Sequence, residues 1–244
     1  MSARKYYKYP RTFHFLWSEN LQNDDRLIEG LGGLIGQEVI VSLKLDGENT
    51  SLMKDHIHAR SIDSSDHLSR HWIKALHASI RYEIPPGWRI CGENMFALHS
   101  IYYTELMSYF YVFAIFDEKN ISLSWNEVEE FSDLLGLKTV PVLHRGKWDE
   151  ETIKNCYTQK SACRGWEPKE NITEFKDFRQ KILNGEEISS FANETQEGYV
   201  CRVASSFSYN DYDKCIAKFV RKSHVRTSDF WMTEIVIPNK LKEK

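Results

Sequence analysis

Residues 38–47 of this chain read Glu-Val-Ile-Val-Ser-Leu-Lys-Leu-Asp-Gly. The first seven are mostly β-branched or apolar, and their side chains alternate in direction along an extended backbone, which predicts a strand over Glu38–Lys44. Asp-Gly is a common turn pair, so the strand is predicted to end in a tight turn at Asp46 and Gly47. Lys44 therefore stands at the end of a strand, directly before a turn.

A lysine in this position can carry chemistry. Its amine attacks a phosphorus or carbonyl centre when burial or a neighbouring positive charge keeps it neutral, and the covalent intermediate divides one hard transfer into two. The Lys44-x-Asp46-Gly47 motif is too short to identify such a function by itself. Further motifs along the chain have to support it.

The composition describes a globular chain without a strong overall charge. Of its 244 residues, 41% are hydrophobic and 13% aromatic, which is enough for a sizeable core. The 32 basic and 35 acidic residues give a net charge of -3, so any nucleic-acid site has to be a local basic patch. No apolar run reaches the ~18 residues of a membrane span and no signal peptide is evident, so we expect a cytoplasmic protein without membrane contact. The five cysteines lack C-x-x-C spacing, which argues against disulfides and a structural zinc.

Periodicity and turn signals predict the other elements. Helices are predicted over Asp66–Glu83, Glu150–Gln159 and Glu174–Leu183, and strands over Trp88–Glu93, Tyr109–Asp117, Glu197–Ala204 and Lys214–Arg221. The first helix is predicted to bury the apolar residues that recur every four positions, namely Leu68, Trp72, Leu76 and Ile80. Ser124 and Glu127 form a capping-box pattern for one more helix, ending near Gly136. Because strands and helices do not alternate regularly, we predict one α+β domain over residues 1–244 with mostly antiparallel strands.

Two segments concentrate basic residues. The first mixes Arg4, Lys5, Lys8 and Arg11 with three tyrosines, and the second carries five basic residues between Lys214 and Arg226 without an acid. Basic residues among aromatic ones suit a phosphate backbone and stacked bases, whereas a solvated surface is the more common meaning of a short charge run. Both interpretations stay open.

Read in order, the chemistry-bearing motifs form a constellation. They are Lys44-x-Asp46-Gly47, Arg60 in His58-Ala-Arg-Ser61, Glu93 in Gly92-Glu-Asn-Met-Phe-Ala-Leu-His-Ser100, Phe113 in an apolar run, Glu197-Gly-Tyr-Val200 and Lys218. This set resembles the covalent nucleotidyltransferases, which include polynucleotide ligases and messenger-RNA capping enzymes. Within them it is most similar to ATP-dependent RNA ligases, in particular the nick-sealing ligases of bacteria and amoebae. The similarity also includes Lys8-Tyr-Pro-Arg-Thr-Phe-His14 and extends from about Tyr9 to Trp231.

The resemblance implies a fold and a reaction. The fold would be the α+β nucleotidyltransferase fold of the ligase and capping-enzyme adenylation domain, with mostly antiparallel sheets flanked by helices. Lys44 would attack the α-phosphate of ATP and carry AMP covalently. The AMP would pass to a 5′-phosphate RNA end, and a 3′-hydroxyl would then displace it, as in RNA repair. Each step is a displacement at phosphorus, where catalysis is mostly positioning and charge neutralisation.

The resemblance also implies roles around the nucleoside. Glu93 would accept hydrogen bonds from the ribose hydroxyls, and the Phe113 ring would stack on adenine. Phe113 lies in an apolar run and can equally be a core residue, in which case Phe116 is the next candidate for stacking. Gly47 would belong to the nucleotide-binding loop.

Phosphates and a metal ion would engage the remaining residues. Arg60 and Lys218 would bind phosphates, and the charge of Lys218 would help to keep Lys44 unprotonated. Mg²⁺ or Mn²⁺ would be held by Glu197, because these ions prefer carboxylate and water oxygens. Asp46 would hold a metal-bound water, although it can also simply form the turn.

The chain departs from the family pattern in its last motif. Members usually carry Lys-x-Lys there, whereas this chain reads Lys218-Phe-Val-Arg221-Lys222. Arg221 and Lys222 are therefore candidates for phosphate or nucleic-acid contacts, with an ordinary surface charge as the alternative. Only 43 residues precede Lys44 and 26 follow Lys218, so we expect a minimal catalytic domain without an OB fold, assisted by its basic segments or by a partner protein.

Three alternatives remain at this stage. A DNA ligase or a GTP-dependent capping enzyme would use the same lysine chemistry, although a capping enzyme needs an OB fold. A catalytically silent nucleic-acid-binding module would keep the fold, but it would be expected to lose Lys44, Glu93, Glu197 or Lys218, and all four are present.

Overall fold

The computed structural model describes residues 6–21, 25–63, 66–158, 160–172, 174–222 and 235–243. Arg4, Lys5 and residues 223–226 of the two basic segments lie outside the described residues. The described strands, in chain order, are β1 (Phe13–His14), β2 (Glu38–Lys44), β3 (Glu48–Leu52), β4 (Ile57–Ala59), β5 (Arg89–Asn94), β6 (Tyr102–Tyr103), β7 (Phe110–Phe116), β8 (Ile121–Ser122), β9 (Lys138–Thr139), β10 (Val142–Lys147), β11 (Gly165–Pro168), β12 (Ala192–Thr195), β13 (Gly198–Val203), β14 (Phe207–Ser208) and β15 (Ile216–Val220). Most of their pairings are antiparallel, as predicted; β1 with β15 and β7 with β9 are parallel.

The first sheet has the strand order β1-β15-β13-β2-β10. Its strand β2 has the predicted bounds, and it pairs antiparallel with β13 and β10. The register places Lys44 of β2 opposite Gly198 of β13. Val200, also in β13, lies opposite Lys218 of β15. Because side chains at alternate positions of paired strands share a face, Lys44, Val200 and Lys218 all project from one face of this sheet.

The second sheet has the order β14-β8-β7-β5-β3-β4, and β9 pairs with β7. Strand β7 is buried at almost every position, so both of its faces are covered. Its neighbour β5 pairs Glu93 with Asn49 of β3 and with Tyr111 of β7. Residues 45–47 connect β2 of the first sheet directly to β3 of the second, so the Asp46-Gly47 turn lies between the two sheets.

The described helices are α1 (His71–Ile80), α2 (Trp125–Leu134), α3 (Glu150–Lys154), α4 (Phe175–Leu183), α5 (Ile188–Phe191) and α6 (Tyr212–Cys215), with 3-10 turns at Leu68–Arg70 and Tyr209–Asp211. The capping box predicted for α2 is confirmed, with Ser124 and Glu127 in reciprocal hydrogen bonds. Helix α4 also matches its prediction, and the chain turns after it at Gly185, whose φ is +73°. Among the described helices, none is both long and apolar enough to cross a membrane.

Three predicted elements differ from the structure. Helix α1 is shorter than 66–83, and its buried face consists of Ile73, His77 and Ile80, while Leu68 is 65% exposed. Leu68 lies in the 3-10 turn before α1 and so does not share the buried face of the helix, whereas Trp72 and Leu76 pack against the core as partly buried residues. Helix α3 ends at Lys154, and the first part of the predicted strand 214–221 is the last turn of α6.

The segment after α3 contributes two strands to a small third sheet, which has the order β12-β11-β6. Helices α4 and α5 pack beside it around a separate apolar cluster that includes Trp166, Phe178 and Phe191. Ile237 belongs to the same cluster, so residues beyond 235 return to the body of the molecule. Two larger apolar clusters each combine residues of both main sheets, and Phe113 packs against both clusters.

The capping box of α2 gives a test of the fold. Ser124→Ala removes the side-chain acceptor for the Glu127 backbone N–H, and loss of such a cap costs about 1 kcal/mol. Chemical denaturation should show this loss of unfolding free energy. Ser205→Ala, at an exposed position outside any helix or strand, serves as the control, and equal stability of the two variants would contradict the assignment.

Candidate functional site

A cleft of about 800 Å³ is lined by residues of both main sheets. It gathers eight of the residues singled out in the sequence: Lys44, Asp46, Gly47, Arg60, Glu93, Phe113, Glu197 and Lys218. These residues come from strands, turns and strand ends that are far apart in the chain. Their convergence makes this cleft the candidate functional site.

Lys44 stands at the centre of the cleft in an ion pair. Its Nζ lies 2.6 Å from Oε1 of Glu197, whose side chain is almost fully buried. The residue after Glu197 has to be small, because a Cβ on Gly198 would lie 2.0 Å from the Phe219 carbonyl oxygen, and its φ of +156° disfavours other residues. Gly198 thus lets β13 approach β15 closely and brings Glu197 to the lysine.

The neighbouring carboxylates control the charge of Lys44. Burial works to lower the pKa of Lys44, but the attraction of Glu197 and Glu93 outweighs it, and the pKa is raised above that of an ordinary lysine. Asp46 contributes in the same direction. Lys44 is therefore an ammonium ion in this cleft, and neutralising the acidic groups around it would favour the free amine, which is the nucleophilic form.

Glu93 lies beside the turn that follows Lys44. Its Oε1 accepts a hydrogen bond of 3.2 Å from the Gly47 backbone N–H. Burial raises the pKa of Glu93, the carboxylates around it raise it further, and the result is about 8. A Cβ on Gly47 would lie 2.6 Å from the Asn94 carbonyl oxygen and 2.7 Å from Met95 Sδ, so the close approach of turn and strand requires glycine here.

The Asp46 carboxylate is anchored by a neighbouring loop. Its Oδ2 accepts hydrogen bonds from the backbone N–H groups of Ser100 and Ile101, at 2.8 and 2.9 Å, and from the Ser100 hydroxyl at 2.6 Å. The Asp46 backbone N–H donates to the Tyr103 hydroxyl at 3.1 Å. Asp46 therefore fixes the turn after Lys44 to residues 100–103, which the sequence alone did not indicate.

Lys218 has two buried neighbours that the motifs did not predict. Its Nζ lies 3.6 Å from Asp25 Oδ1, and the same oxygen lies 3.2 Å from Nε2 of the fully buried His14. The His14 Nδ1 is 2.7 Å from the Ser18 hydroxyl. His14 and Lys218 are paired residues of β1 and β15. The contacts of Lys218 with Asp25, and of Asp25 with His14, therefore hold the lysine side chain along the cleft.

The inner part of the cleft is apolar except for one arginine. Phe113 and Val200 line it from opposite sheets, and Tyr9 packs edge-on against the Phe113 ring at 4.8 Å. Arg202 lies two residues beyond Val200 on the same face of β13 and is 2% exposed. Burial lowers the pKa of Arg202 to about 10, so its guanidinium remains charged at neutral pH.

The Arg202 guanidinium is only partly satisfied by the protein. Its Nη2 donates to the Leu123 carbonyl at 2.7 Å, and the group lies over the rings of Trp125 and Phe207. Among the described residues, none accepts a hydrogen bond from Arg202 Nη1. A buried donor without a partner is costly, so this atom suits a ligand acceptor. Arg202 could have been selected from the sequence, because it lies two residues beyond Val200 of the Glu197-Gly-Tyr-Val200 motif and alternate residues of a strand share a face.

Arg221 and Lys222 do not occur among the described residues that line the cleft. Arg221 is buried, and its guanidinium binds the Gln196 carbonyl at 2.9 Å and the Glu167 carboxylate. Its backbone N–H donates to the Glu197 carbonyl at 3.1 Å, so it supports the strand end that carries Glu197. Lys222 is exposed and its backbone N–H binds Glu19. A phosphate or nucleic-acid contact for either residue stays a prediction.

The donor set around Lys44 fits a hard divalent cation. Three acidic side chains, those of Asp46, Glu93 and Glu197, lie around one ammonium group and raise its pKa, and Glu93 holds its own proton up to a pH of about 8. Within the described part of the chain, no three His, Cys, Asp or Glu side chains already converge as a closed metal cage. Mg²⁺ and Mn²⁺ sites on phosphate substrates commonly use one or two carboxylates and complete their coordination with water and phosphate oxygens, which agrees with this open arrangement.

Comparison with known proteins supports the interpretation of the cleft. A family model described as RNA ligase matches residues 37–220, a range that contains every predicted site residue except Arg221 and Lys222. No curated protein sequence matches the chain. The resemblance inferred from the motifs is thereby confirmed at the level of the family.

Solved structures agree with the fold. A mutant of Naegleria gruberi RNA ligase determined with ATP and Mn is 18% identical, with a TM-score of 0.50, and the match covers 88% of this chain and 58% of that one. An archaeal ATP-dependent RNA ligase is 14% identical, with a TM-score of 0.49 and coverage of 88% and 48%. The likeness to the Naegleria enzyme confirms the predicted ligase-type α+β fold. This chain spans about half the length of the solved ligases that it matches.

The raised pKa of Glu93 gives a test by pH. Because the folded chain holds the Glu93 proton up to a pH of about 8, whereas an unfolded glutamate loses it near pH 4, folding stability falls as the pH rises through this interval. Glu93→Gln cannot ionise. As the pH is raised from about 5 to about 9, its melting temperature should therefore increase relative to that of the wild type. Thermal unfolding across that range measures the difference, and the exposed Glu83→Gln is the control. A difference independent of pH would contradict the buried, protonated Glu93.

Proposed function

The chain belongs to the RNA ligase family, and on that premise we propose that it joins RNA ends with ATP through a lysyl-adenylate on Lys44. One observation carries the proposal: Lys44, Glu93, Glu197 and Lys218 converge on a single cleft from different strands. Together they provide a nucleophile, a carboxylate for the sugar, a carboxylate beside the nucleophile and a cation for phosphate. This is the equipment that nucleotidyl transfer requires.

In the first step the Lys44 amine bonds to the α-phosphorus of ATP, and the bond from that phosphorus to the bridging oxygen breaks to release pyrophosphate. Lys44 must first lose a proton, and the nearest acceptor is Glu197 Oε1 at 2.6 Å. Positive charge from Lys218 and Arg60 along the cleft disfavours the ammonium form and attracts the phosphates. Asp25 holds Lys218 at the cleft wall until the phosphates arrive.

The nucleoside occupies the inner part of the cleft. Adenine lies between the Phe113 ring and Val200, and the ribose hydroxyls donate to Glu93. Beyond the base, Arg202 Nη1 donates to a ring nitrogen of adenine. Its donor would then be satisfied, and the base would be held in one orientation.

A bound Mg²⁺ or Mn²⁺ would neutralise charge on the triphosphate and on the carboxylates that hold Lys44 protonated. Glu197 is the residue best placed to bind it, and Asp46 would orient a water molecule of its coordination shell. In both roles the residues are already fixed, Glu197 by Gly198 and Arg221, and Asp46 by the 100–101 backbone.

The two later steps join the RNA ends. The AMP moves from Lys44 to a 5′-phosphate, and a 3′-hydroxyl then attacks that phosphorus and expels AMP. Lys8 and Arg11, in the amino-terminal segment beside the cleft, would contact the RNA backbone. A partner protein would provide further contacts with the RNA. The reaction would serve RNA repair.

Covalent labelling tests the first step. Purified protein incubated with α-labelled ATP and Mg²⁺ or Mn²⁺ should retain the label after denaturing electrophoresis, whereas Lys44→Ala should retain none. Lys74→Ala, an exposed lysine of α1, is the matched control and should label like the wild type. Added nicked RNA with a 5′-phosphate should discharge the label and yield a sealed strand.

Other outcomes would redirect the function. Labelling from GTP alone would point to a capping-type transfer, and sealing of DNA but not RNA would point to a DNA ligase. No label from ATP, GTP or NAD, after pyrophosphate has stripped any AMP already bound, would favour a silent binding module.

Arg202 provides a second test, on base recognition. Arg202→Met removes the donor while keeping an apolar stem, and an unpaired buried acceptor costs about 1 to 3 kcal/mol, so the KM for ATP should rise by about tenfold. One of the 1-, 3- or 7-deaza analogues of ATP should bind poorly to the wild type, because it lacks the nitrogen that Arg202 contacts. The same analogue should be no worse than ATP for Arg202→Met. Equal penalties in both proteins for all three analogues would exclude this contact.

A further inference from the structure

The carboxyl-terminal segment 237–242 runs along the loop 95–106 and is hydrogen-bonded to it at several points. The Leu98 N–H donates to the Ile237 carbonyl at 2.8 Å, and the Lys240 N–H donates to the Tyr103 carbonyl at 2.8 Å. The Lys242 N–H continues the series to the Leu106 carbonyl at 2.8 Å. This strap, residues 237–242, lies outside the range matched by the RNA ligase family model.

Asn239 is the anchor of the strap. It is 1% exposed, and its side-chain amide donates to the carbonyls of Met95 and Ala97, at 2.7 and 3.2 Å. Its side-chain oxygen accepts the Tyr103 backbone N–H at 2.8 Å. One side chain therefore ties both ends of the 95–103 loop together, using both of its donors.

The loop that Asn239 closes is the one that holds the turn after Lys44. Ser100 and Ile101, in the middle of the loop, supply the donors to the Asp46 carboxylate. Tyr103, at its end, receives the Asp46 backbone N–H on its hydroxyl and gives its own N–H to Asn239. The path from the strap to Asp46 thus consists of two consecutive hydrogen bonds, the first buried and the second partly buried.

We propose that Asn239 is a positioning residue for nucleotidyl transfer, because it sets the loop 95–103 that fixes Asp46 and, through the Asp46-Gly47 turn, the reacting Lys44. This role rests on the proposed function for its effect on the rate. Asn239 does not touch the nucleotide. It acts through Tyr103 and the Ser100 backbone, and a small displacement of reacting groups is enough to slow a transfer strongly.

The geometry separates this effect from nucleotide binding. Phe113, Val200 and Arg202, the residues proposed to contact the base, belong to β7 and β13. The hydrogen bonds described for the strap go instead to residues 95–109. Loss of Asn239 should therefore lower the rate of lysyl-adenylate formation by tenfold or more while the KM for ATP changes by less than threefold. A residue that only stabilised the fold would not produce this split.

Two independent variants test the strap in the full-length chain. Asn239→Ala removes the side-chain bonds, and Lys240→Pro removes the N–H that donates to the Tyr103 carbonyl. Lys240→Ala is the matched control, because it removes the same exposed side chain as Lys240→Pro and keeps the backbone donor. Single-turnover adenylation should be slow for the first two variants and unchanged for the control, with melting temperatures within a few degrees of the wild type.

Hydrogen exchange gives a readout that is independent of activity. The amides of Ser100 and Ile101 should lose protection in Asn239→Ala and Lys240→Pro, while the amides of β2 and β13 keep theirs. Unchanged protection at 100–101, or loss of protection spread equally over the main sheets, would overturn the positioning role. If the wild type forms no lysyl-adenylate, the proposed function fails, and this exchange pattern still decides whether the strap positions the loop.

Discussion

The ammonium group of Lys44 lies among three acidic side chains, those of Asp46, Glu93 and Glu197, at the junction of two sheets, and the rest of the site depends on its ion pair with Glu197. The nearest of them, Glu197, is 2.6 Å away and buried, so the lysine is held firmly in its unreactive form. Only the arrival of positive charge can release it. In the proposed reaction, a nucleotide accompanied by a divalent cation and met by Lys218 would bring this charge, which would couple substrate binding to activation of Lys44.

The fold produces this arrangement by strand pairing. Strand β2 ends at Lys44 next to β13, and the close approach of Gly198 to β15 brings Glu197 beside the lysine and Lys218 onto the same face. The turn after Lys44 then leads directly into the second sheet, whose strand β5 contributes Glu93. Both sheets are needed for one complete site, and Phe113, which lines it, packs against both of the apolar clusters that the sheets share.

Local patterns were predicted well from the sequence, whereas contacts between distant segments were not. The bounds of β2 and the capping box of Ser124 depend on neighbouring residues only, and both are confirmed. The predicted apolar face of α1 is confirmed at Trp72, Leu76 and Ile80, which contact the core, and was wrong at Leu68, which lies in the 3-10 turn before the helix. Residues that line the cleft were found through ordered family motifs, although their individual roles remain predictions. Asp25 and Asn239 carry no motif, since their importance comes from partners that only the folded chain brings close.

The parallel pairing of β1 with β15 also affects how the molecule comes into being. His14 near the start of the described chain pairs with Lys218 near its end, so the first strand must wait for the last one before its edge of the sheet can close. Closing so long a loop costs conformational entropy before the strand pairing stabilises the chain, and such distant pairings slow folding. During synthesis, the ribosome releases Lys44 long before Glu197 and Lys218. A nascent chain therefore cannot assemble the cleft, and nucleotide binding first becomes available when the last strands have emerged.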